Sequence, residues 1–498
     1  MPKILALALL LAAVLPAPAQ GARMLVVFDT DLQLSDLQTL ADDGAVGLLV
    51  PDAGPETSQA RAMTALERGA VRNSLLGGAP QGRPLVQLVD NKGSYSPAPR
   101  ILVGIPKGGT QPNDRRYPIV VIAPGYRGLL TSRSTRIPGL VSVVDVAPTA
   151  LGTEGKLGST RDDDPASTLL ALDRRIEEHR DSKTPVLILS LVLIFGLAVF
   201  RRDAVLPAFA AVLLANLVLG ITGWANVWVD LLVVGAFVAA SVPFARLPIV
   251  AQGALLVGVL AAYLLAMGID ERWVALSPLG PTQNARFYGL SNLLSTLLLV
   301  PALAGAAILG GWAAAAVAAV ALVTVGGSQF GADGGGVLVL IAGYAVYFGL
   351  TQRPTRRTLV AATVVLGVLV LALALGGGSH VTNAIADGPV GLAEDFWRRL
   401  HLSWLRATSS WGVAALVFGG IAALALLARR ERRPLLLAYL AALAVSLLVN
   451  DSPNDVIVAG LAGYLVLSSA PGVARPADER VTPAAPAPRA RSAPAASR

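Results

Sequence analysis

Four polar clusters interrupt an otherwise apolar sequence, and they hold the side chains best able to do chemistry. They run Ser277–Asn292 (SPLGPTQNARFYGLSN), Gly326–Gly336 (GGSQFGADGGG), Gly376–Arg406 and Val449–Val456 (VNDSPNDV). Acids and amides at membrane depth are costly and usually line a cavity. The candidates for ligand binding are Arg286, Tyr288, Asn292, Asp333, His380, Asn450, Asp451 and Asp455. Arg286 and Tyr288 precede a helix start, where free backbone N–H groups favour anions. Asp333 sits among glycines that allow close backbone approach, and Asn450 and Asp451 end one helix just before Asn454 and Asp455 begin the next. An arginine held near carboxylates can exchange its partner for a phosphate or carboxylate ligand. We therefore expect Arg286, Asp333 and Asp451 to converge on one cavity. The competing reading of each residue is structural. Asp333, Asp451 and Asp455 then cap helices, Arg286 pairs with Asp270 or Glu271, and Tyr288, Trp397 and Trp404 are interface aromatics. His380 and His401 are too far apart in sequence to imply a metal site.

The elements that would carry these clusters are membrane helices. Hydrophobic residues are 54% of the chain and charged residues 14%, and the charge deficit falls almost wholly on Thr184 to Ala470. About eleven spans are expected, each near ~20 residues: Pro185–Phe200, Ala204–Thr222, Val227–Ala245, Leu247–Gly268, Leu290–Leu309, Trp312–Val325, Gly336–Leu350, Leu359–Leu375, Trp411–Ala428, Leu435–Val449 and Val456–Ser469. The weakest division is at Gly310-Gly311. Lys3, the apolar run Ile4 to Leu15 and Ala17-Pro18-Ala19 read as a signal peptide over residues 1–19. Alternate turns carry Arg201 and Arg202, Arg246, Arg353, Arg356 and Arg357, then Arg429, Arg430, Arg432 and Arg433, whereas the turns around Gly223, Gly327 and Asn450 carry no Lys or Arg. This positive-inside pattern agrees with the signal peptide. It puts the N-terminal domain and all four polar clusters outside a bacterial cytoplasmic membrane, and the C-terminus in the cytoplasm. The net charge of +8 is explained by those helix-end arginines, so nucleic acid is not a partner. With no cysteine, disulfides, thiolate metal sites and cysteine nucleophiles are excluded.

Residues 24–152 read as an α/β domain, and 153–184 as an amphipathic stalk helix before the membrane part, 185–470. A Pro/Ala/Arg-rich tail, 471–498, is expected to be disordered. The fold class is thus a membrane all-α bundle with an N-terminal extracytoplasmic α/β domain. Strands are predicted at Met24–Phe28, Ala45–Val50, Leu85–Leu88, Ile101–Ile105, Ile119–Ile122 and Leu140–Val144, with helices at Leu34–Asp43 and Ser58–Gly69. Apolar strand runs between helices predict a mostly parallel sheet covered on both faces.

Within this domain "MLVVFDTD", "DDGAVGLLVPDAG" and "RIPGLVSVVDVAPTAL" resemble the opening strand, the next helix-to-strand turn and a late strand and helix of the alkaline phosphatase superfamily. The layout is similar to that of its membrane-bound phosphoethanolamine transferases. The resemblance implies two metals held by Asp and His ligands around a Ser or Thr nucleophile. Asp29 stands where the first metal ligand belongs, with Asp31 close by, and Thr57 and Ser58 are candidate hydroxyls. The Asp-His-Gly of that family is replaced by Ala123-Pro124-Gly125 within "VVIAPGYRG", and the one histidine before the spans is His179, in the stalk. A two-metal site needs its ligands in fixed geometry, so Asp29 and Asp31 read as vestigial, the domain as a pseudoenzyme, and no cofactor is expected. The "RFYGLSN", "GAD-GG" and "NDS" set also resembles that of uncharacterised bacterial membrane proteins with the same N-terminal domain. Many of those carry Asn-Glu where this chain has Asn292-Leu293.

Together these features point to a cell-envelope biogenesis protein. It would act at the outer leaflet on a lipid-linked or anionic glycan or phospho substrate, as a transferase or ligase, with membrane lipid and envelope proteins as partners. A transporter or flippase is the first alternative, although the sequence has no clear inverted repeat. A scaffold or receptor is the second. The sidedness has a direct test: in this cysteine-free chain, an Asn454→Cys variant should react with an impermeant thiol reagent added outside. Reaction only from the cytoplasmic side would overturn the topology.

Overall fold

The computed structural model describes residues 23–80, 82–91, 99–153, 157–281, 287–352 and 388–470. The signal peptide, the span Leu359–Leu375 and the C-terminal tail expected from sequence lie outside these residues.

The N-terminal domain is built on one mixed sheet. Its strands are β1 Leu25–Asp29, β2 Ala45–Val50, β4 Leu88–Asp90, β5 Arg100–Gly104, β7 Tyr117–Ile122, β8 Gly128–Ser132, β9 Leu140–Ser142 and β10 Leu157–Thr160, while β3 Glu56–Thr57 and β6 Gln111–Pro112 form a separate pair. The order is β10-β8-β2-β7-β5-β1-β4, with β9 also on β2. Parallel pairs join β1 to β4 and β5, and β2 to β8 and β9. The sheet is mostly parallel, as expected, with two reversed strands: β7 runs antiparallel to both neighbours, β2 and β5, and β10 antiparallel to β8. A parallel neighbour requires a crossover, usually a helix. The chain between β5 and β7 contains only the short strand β6, so it returns antiparallel.

Alternation along the strands sorts the core into two faces. Ala45, Leu49, Ile101, Val103, Ile119 and Val121 pack beneath α2 (Gln59–Arg68) and α3 (Val146–Ala150). Val46, Leu48, Val50, Leu102 and Val120 face the other way. The helix expected over Leu34–Asp43 is only a 3-10 turn, Leu34–Asp36, followed by α1, Leu37–Leu40. That is too short to cover a sheet face, and the missing cover comes from elsewhere. Ala166, Leu169 and Ile176 of the stalk supply part of it, and Ala275, Leu276 and Phe287 of the helical bundle supply the rest.

The stalk and the first span are one helix, α4, Pro165–Phe200, 36 residues long and about 54 Å at 1.5 Å per residue. Asp164 caps its start by accepting from the Ser167 N–H. His179 is buried on it against Asp230, 3.5 Å away. The following helices are α5 Val205–Thr222, α6 Val227–Ser241, α7 Ile249–Ile269, the short α8 Arg272–Ala275, α9 Asn292–Leu309, α10 Gly311–Gly326, α11 Gly334–Thr351, α12 Gly388–Ala407, α13 Trp411–Arg430, α14 Pro434–Val449 and α15 Pro453–Ser469. Seven of the helices among the described residues are long and apolar enough to cross a membrane, which marks a membrane protein. Helices α9 and α10 are separate because Gly310 and Gly311 both take left-handed φ, 60° and 54°, which breaks a right-handed helix at little steric cost only for glycine.

Helices α5 and α9 are the most deeply buried. Around α9 pack α7, α10, α14 and α15, and α11 lies along α14. Small residues let backbones approach. A Cβ on Gly220 would fall on the Trp273 carbonyl, and one on Gly463 on the Tyr439 hydroxyl. Buried amide chemistry does the rest. Asn216 of α5 donates to Tyr263 Oη and Ser277 Oγ, both at 3.0 Å, and accepts from the Leu279 N–H at 2.9 Å.

At the opposite end, Glu431 closes the turn between α13 and α14. Arg433 donates to both its oxygens at 2.8 Å, and Tyr464 Oη of α15 donates at 2.9 Å. The Arg433 hydrogen bond, with help from backbone N–H groups and Tyr464 and against the effect of burial, holds the Glu431 pKa at about 2, below its ordinary 4.5. A depressed carboxylate contributes stability that is present above the unfolded pKa and lost as pH falls through the folded one. Thermal melts of the chain should therefore lose stability between pH 4.5 and about 2, and Glu431→Gln should lower the neutral-pH melting point while flattening that acid limb. Identical acid limbs in the two proteins would count against this role.

Candidate functional site

Three helix junctions meet at the end of the bundle that carries the N-terminal domain. The start of α9 is set by Ser291, which accepts from the Leu294 N–H at 3.0 Å and donates to the Leu279 carbonyl at 2.7 Å. The turn from α10 to α11 folds back on α10, with the N–H groups of Gly331 and Asp333 on the carbonyls of Thr324 and Val325. The Leu290 N–H donates to the Gly331 carbonyl at 3.0 Å, so this turn lies beside the start of α9. Asn292 then donates from Nδ2 to Asp451 Oδ1 at 2.9 Å, which adds the turn between α14 and α15.

Asp333 and Asn450 lie deepest, 4% and 2% exposed. Asp333 caps α11, accepting from the Gly336 N–H at 3.0 Å. Asn450 donates to Ser446 Oγ at 2.8 Å. Glycine is required between them: a Cβ on Gly335 would stand 2.9 Å from Asn450 Oδ1 and 3.4 Å from Asp333 Oδ1. Asp333 Oδ2 and Asn450 Oδ1 are buried without a hydrogen-bond partner among the described residues. An unpaired buried acceptor costs about 1–3 kcal/mol, so this spot is poised to receive a donor.

The cations come from a helix that sequence reasoning missed. Residues 388–407 fall in a stretch read as a polar cluster, yet they form the 20-residue α12. Its inward face carries Arg399, Ser403 and Arg406. Arg406 Nη1 lies 3.1 Å from Asp451 Oδ2 and donates to the Asp451 carbonyl and Ser452 Oγ, both at 2.7 Å. Ser403 Oγ donates to the Asn450 carbonyl at 2.7 Å. Arg399 pairs with Asp395 at 2.7 Å. Burial opposes its charge, but Asp395, then Asp451 and Asp333, outweigh that and hold its pKa above the usual guanidinium value. The signal available in the sequence was the spacing 395, 399, 403 and 406, which puts polar groups on one helical face.

The other candidates distribute as follows. Arg286 and His380 lie outside the described residues. The acids considered as partners for Arg286 are engaged elsewhere, Asp270 with Arg272 at 2.6 Å and Glu271 with Arg136 at 3.2 Å. Tyr288 belongs to a contact between domains. The Arg136 guanidinium lies 4.3 Å above its ring and also donates to the Ser328 carbonyl at 2.9 Å. Arg136 holds a left-handed φ of 59°, a strain of about 1–3 kcal/mol set against these contacts. Burial raises the Glu271 pKa, and Arg136 opposes the rise. Asp455 turns toward the stalk, 3.7 Å from Lys183, and is not part of the three-junction cluster.

Asp29 and Asp31 stand at the end of β1. Asp29 accepts from the Asp31 N–H and from Asn91 Nδ2, both at 2.7 Å, and Asp31 pairs with Lys107 at 2.6 Å. Among the described residues no three His, Cys, Asp or Glu side chains are grouped so as to hold a metal ion. Ser58 caps α2, accepting from the Arg61 N–H at 3.3 Å. Thr57 is buried, its hydroxyl unpartnered among the described residues.

The close approach at Gly335 gives a paired test. Gly335→Ala should cost about 1–3 kcal/mol by overpacking. Gly349→Ala, on the same helix but facing open space, should be neutral or stabilising by up to about 1 kcal/mol. Thermal melts of both variants decide it, and equal effects would show that the junction is not tightly closed. Compared with known proteins, the chain matches no family model, no curated protein and no solved structure.

Proposed function

We propose that this chain is a cell-envelope protein of the bacterial cytoplasmic membrane that takes a lipid-linked or anionic glycan substrate bearing phosphate at the outer leaflet, as a transferase or ligase does. The observation that carries the reading is the juxtaposition of two unlike recognition elements at one place. Arg399 and Arg406 offer charge-assisted donors to a phosphate, and they now rest on Asp395 and Asp451. Asp333 and Asn450 offer buried acceptors unpartnered among the described residues, suited to sugar hydroxyls. A glycan phosphate presents both complements, and few simpler ligands do. Arg201, Arg202, Arg246, Arg429, Arg430, Arg432 and Arg433 support the outward sidedness, since they fall at the far end of their helices from these junctions. The N-terminal domain, with its resemblance to phosphatases and its lack of the Asp-His-Gly motif, fits a pseudoenzyme that orients or covers the substrate.

The same contacts would also arise if Arg406 only sealed the α14–α15 turn, and the two readings diverge on substitution. The full-length protein is captured in native-lipid nanodiscs, and retained phosphate-bearing lipid and glycolipid are quantified by mass spectrometry. Losing a hydrogen bond to a charged group costs about 1.5–3 kcal/mol, so Arg399→Ala and Arg406→Ala should each cut a specifically retained species by about tenfold or more. Arg398→Ala, on the exposed side of α12, should leave it unchanged. Equal retention in all four folded proteins would sink the proposal.

A further inference from the structure

Helix α12 buries polar side chains and leaves large apolar ones outside. A helix on a water-soluble surface turns its apolar stripe inward. This one turns inward Asp395, Arg399, Ser403 and Arg406, which hold the three-junction cluster, with Leu402 and Ala407 as apolar filler. Its outward face carries Val390, Trp397 and Trp404, at 70%, 65% and 59% exposure, with Glu394, Arg398 and His401 exposed among them. Val390, Trp397 and Trp404 are spaced by seven, which at 3.6 residues per turn returns to nearly the same direction, drifting only ~20° per step. Leaving two tryptophans and a valine in line against water would forfeit several kcal/mol of burial. Tryptophan on such a stripe is instead characteristic of the headgroup level of a bilayer.

A second observation says what covers the stripe. The Trp404 ring meets the Phe418 ring edge-on, with centroids 6.0 Å apart. Phe418 lies on α13, one of the helices able to span a membrane, where it is exposed together with Leu416, Ile421 and Leu426. Trp411, 92% exposed, begins that helix immediately after α12 ends. The aromatic stripe of α12 is therefore continuous with the apolar outer surface of a span, and whatever solvates α13 extends onto α12. Helix α12 is not itself a candidate span.

We propose that α12 lies in the plane of the membrane, with Val390, Trp397 and Trp404 seated in the lipid leaflet on the side of the N-terminal domain and its arginine face turned to the polar cluster. It is then an in-plane helix that separates lipid from the cluster by one helix diameter, about 10–12 Å. If the proposed function holds, its lipid-linked substrate approaches sideways past α12 from the leaflet. That consequence rests on the functional reading, but the placement of the helix does not.

The absence of cysteine makes the test direct. Single cysteines are introduced as Val390→Cys, Trp397→Cys and Trp404→Cys in the full chain, spin-labelled and reconstituted into phospholipid vesicles. Collision with oxygen, which concentrates in lipid, is compared with collision with a water-soluble nickel chelate. Leu426→Cys on α13 is the lipid reference and Arg161→Cys in the N-terminal domain the water reference. His401→Cys, on the same outward face but with no apolar side chain to lose, stands in if a tryptophan variant does not fold. All labels on the stripe should show an oxygen-to-nickel ratio several-fold above that at 161 and close to that at 426. A ratio like that at 161 would place the stripe in water and overturn the proposal. Immobile labels shielded from both reagents would overturn it too, by showing a protein cover, whether another segment of the chain or a second copy.

Discussion

The second face of the N-terminal sheet is the constraint on which much of the rest depends. One face is covered by α2 and α3, which belong to the domain. The other has only the four-residue α1, and a sheet with strands this apolar must be covered on both sides. The deficit is met by the stalk part of α4 and by Ala275, Leu276 and Phe287 of the bundle, all buried in one cluster with Val46, Leu48 and Val120. Full burial of a side chain the size of Leu or Phe is worth about 1.5–3 kcal/mol. The domain is thus completed by the bundle, and Ala275, Leu276 and Phe287 are held by the sheet they cover. Arg136 adds the polar half of this contact through Tyr288, Glu271 and Ser328, two of them residues next to the junctions that build the site.

That placement matters because polar groups at the bundle end have little water to fall back on, and an unsatisfied one is expensive. The structure answers by making each junction satisfy another. Asn292 serves Asp451, Leu290 uses the Gly331 carbonyl, Ser403 the Asn450 carbonyl, and Arg406 the whole Asp451–Ser452 turn. Such a network is rigid where complete, and the places where it is incomplete stand out. Asp333 Oδ2 and Asn450 Oδ1 are both at the bottom of the cluster, on either side of the Gly335 backbone.

How much of this was legible in the sequence varied by physical cause. The run Ala45–Val50 was readable as a strand to the residue, because a fully buried strand is apolar throughout. The break at Gly310-Gly311 was the weakest of the expected divisions, because tandem glycine fits one broken helix as well as two separate ones. The antiparallel course of β7 was not, since direction depends on what connects strands and not on their composition. Asn292, Asp333, Asn450 and Asp451 could be nominated because each is polar beside an apolar run. Their partners Arg399, Ser403 and Arg406 were missed for the opposite reason. On α12 polar residues lie on both faces, Asp395, Arg399, Ser403 and Arg406 toward protein and Glu394, Arg398 and His401 outward among the tryptophans, so apolar periodicity does not mark the buried side and the segment resembles a polar loop. Arg136 was passed over as well: it lies in a loop of the N-terminal domain and matters only because of what the bundle brings to it.

Helix α12 also bears on why the arginines are where they are. Arginine at the edge of a membrane usually extends to water or headgroups. Here Arg399 and Arg406 are drawn inward by three carboxylates, Asp395, Asp451 and Asp333. A charge held half-buried among acids is stabilised by them, but breaking one such pair leaves the carboxylate behind unpaired. An arrangement that only had to close a turn could have used a neutral cap, as Ser291 does at α9 and Ser410 at α13. Cations and acids concentrated at the one place where three junctions meet, under a helix with an aromatic back, make more physical sense if the ion pairs are exchanged for something that arrives. Any anion taking an arginine there would compete with Asp451, and the displaced carboxylate would need the donors that the same ligand brings.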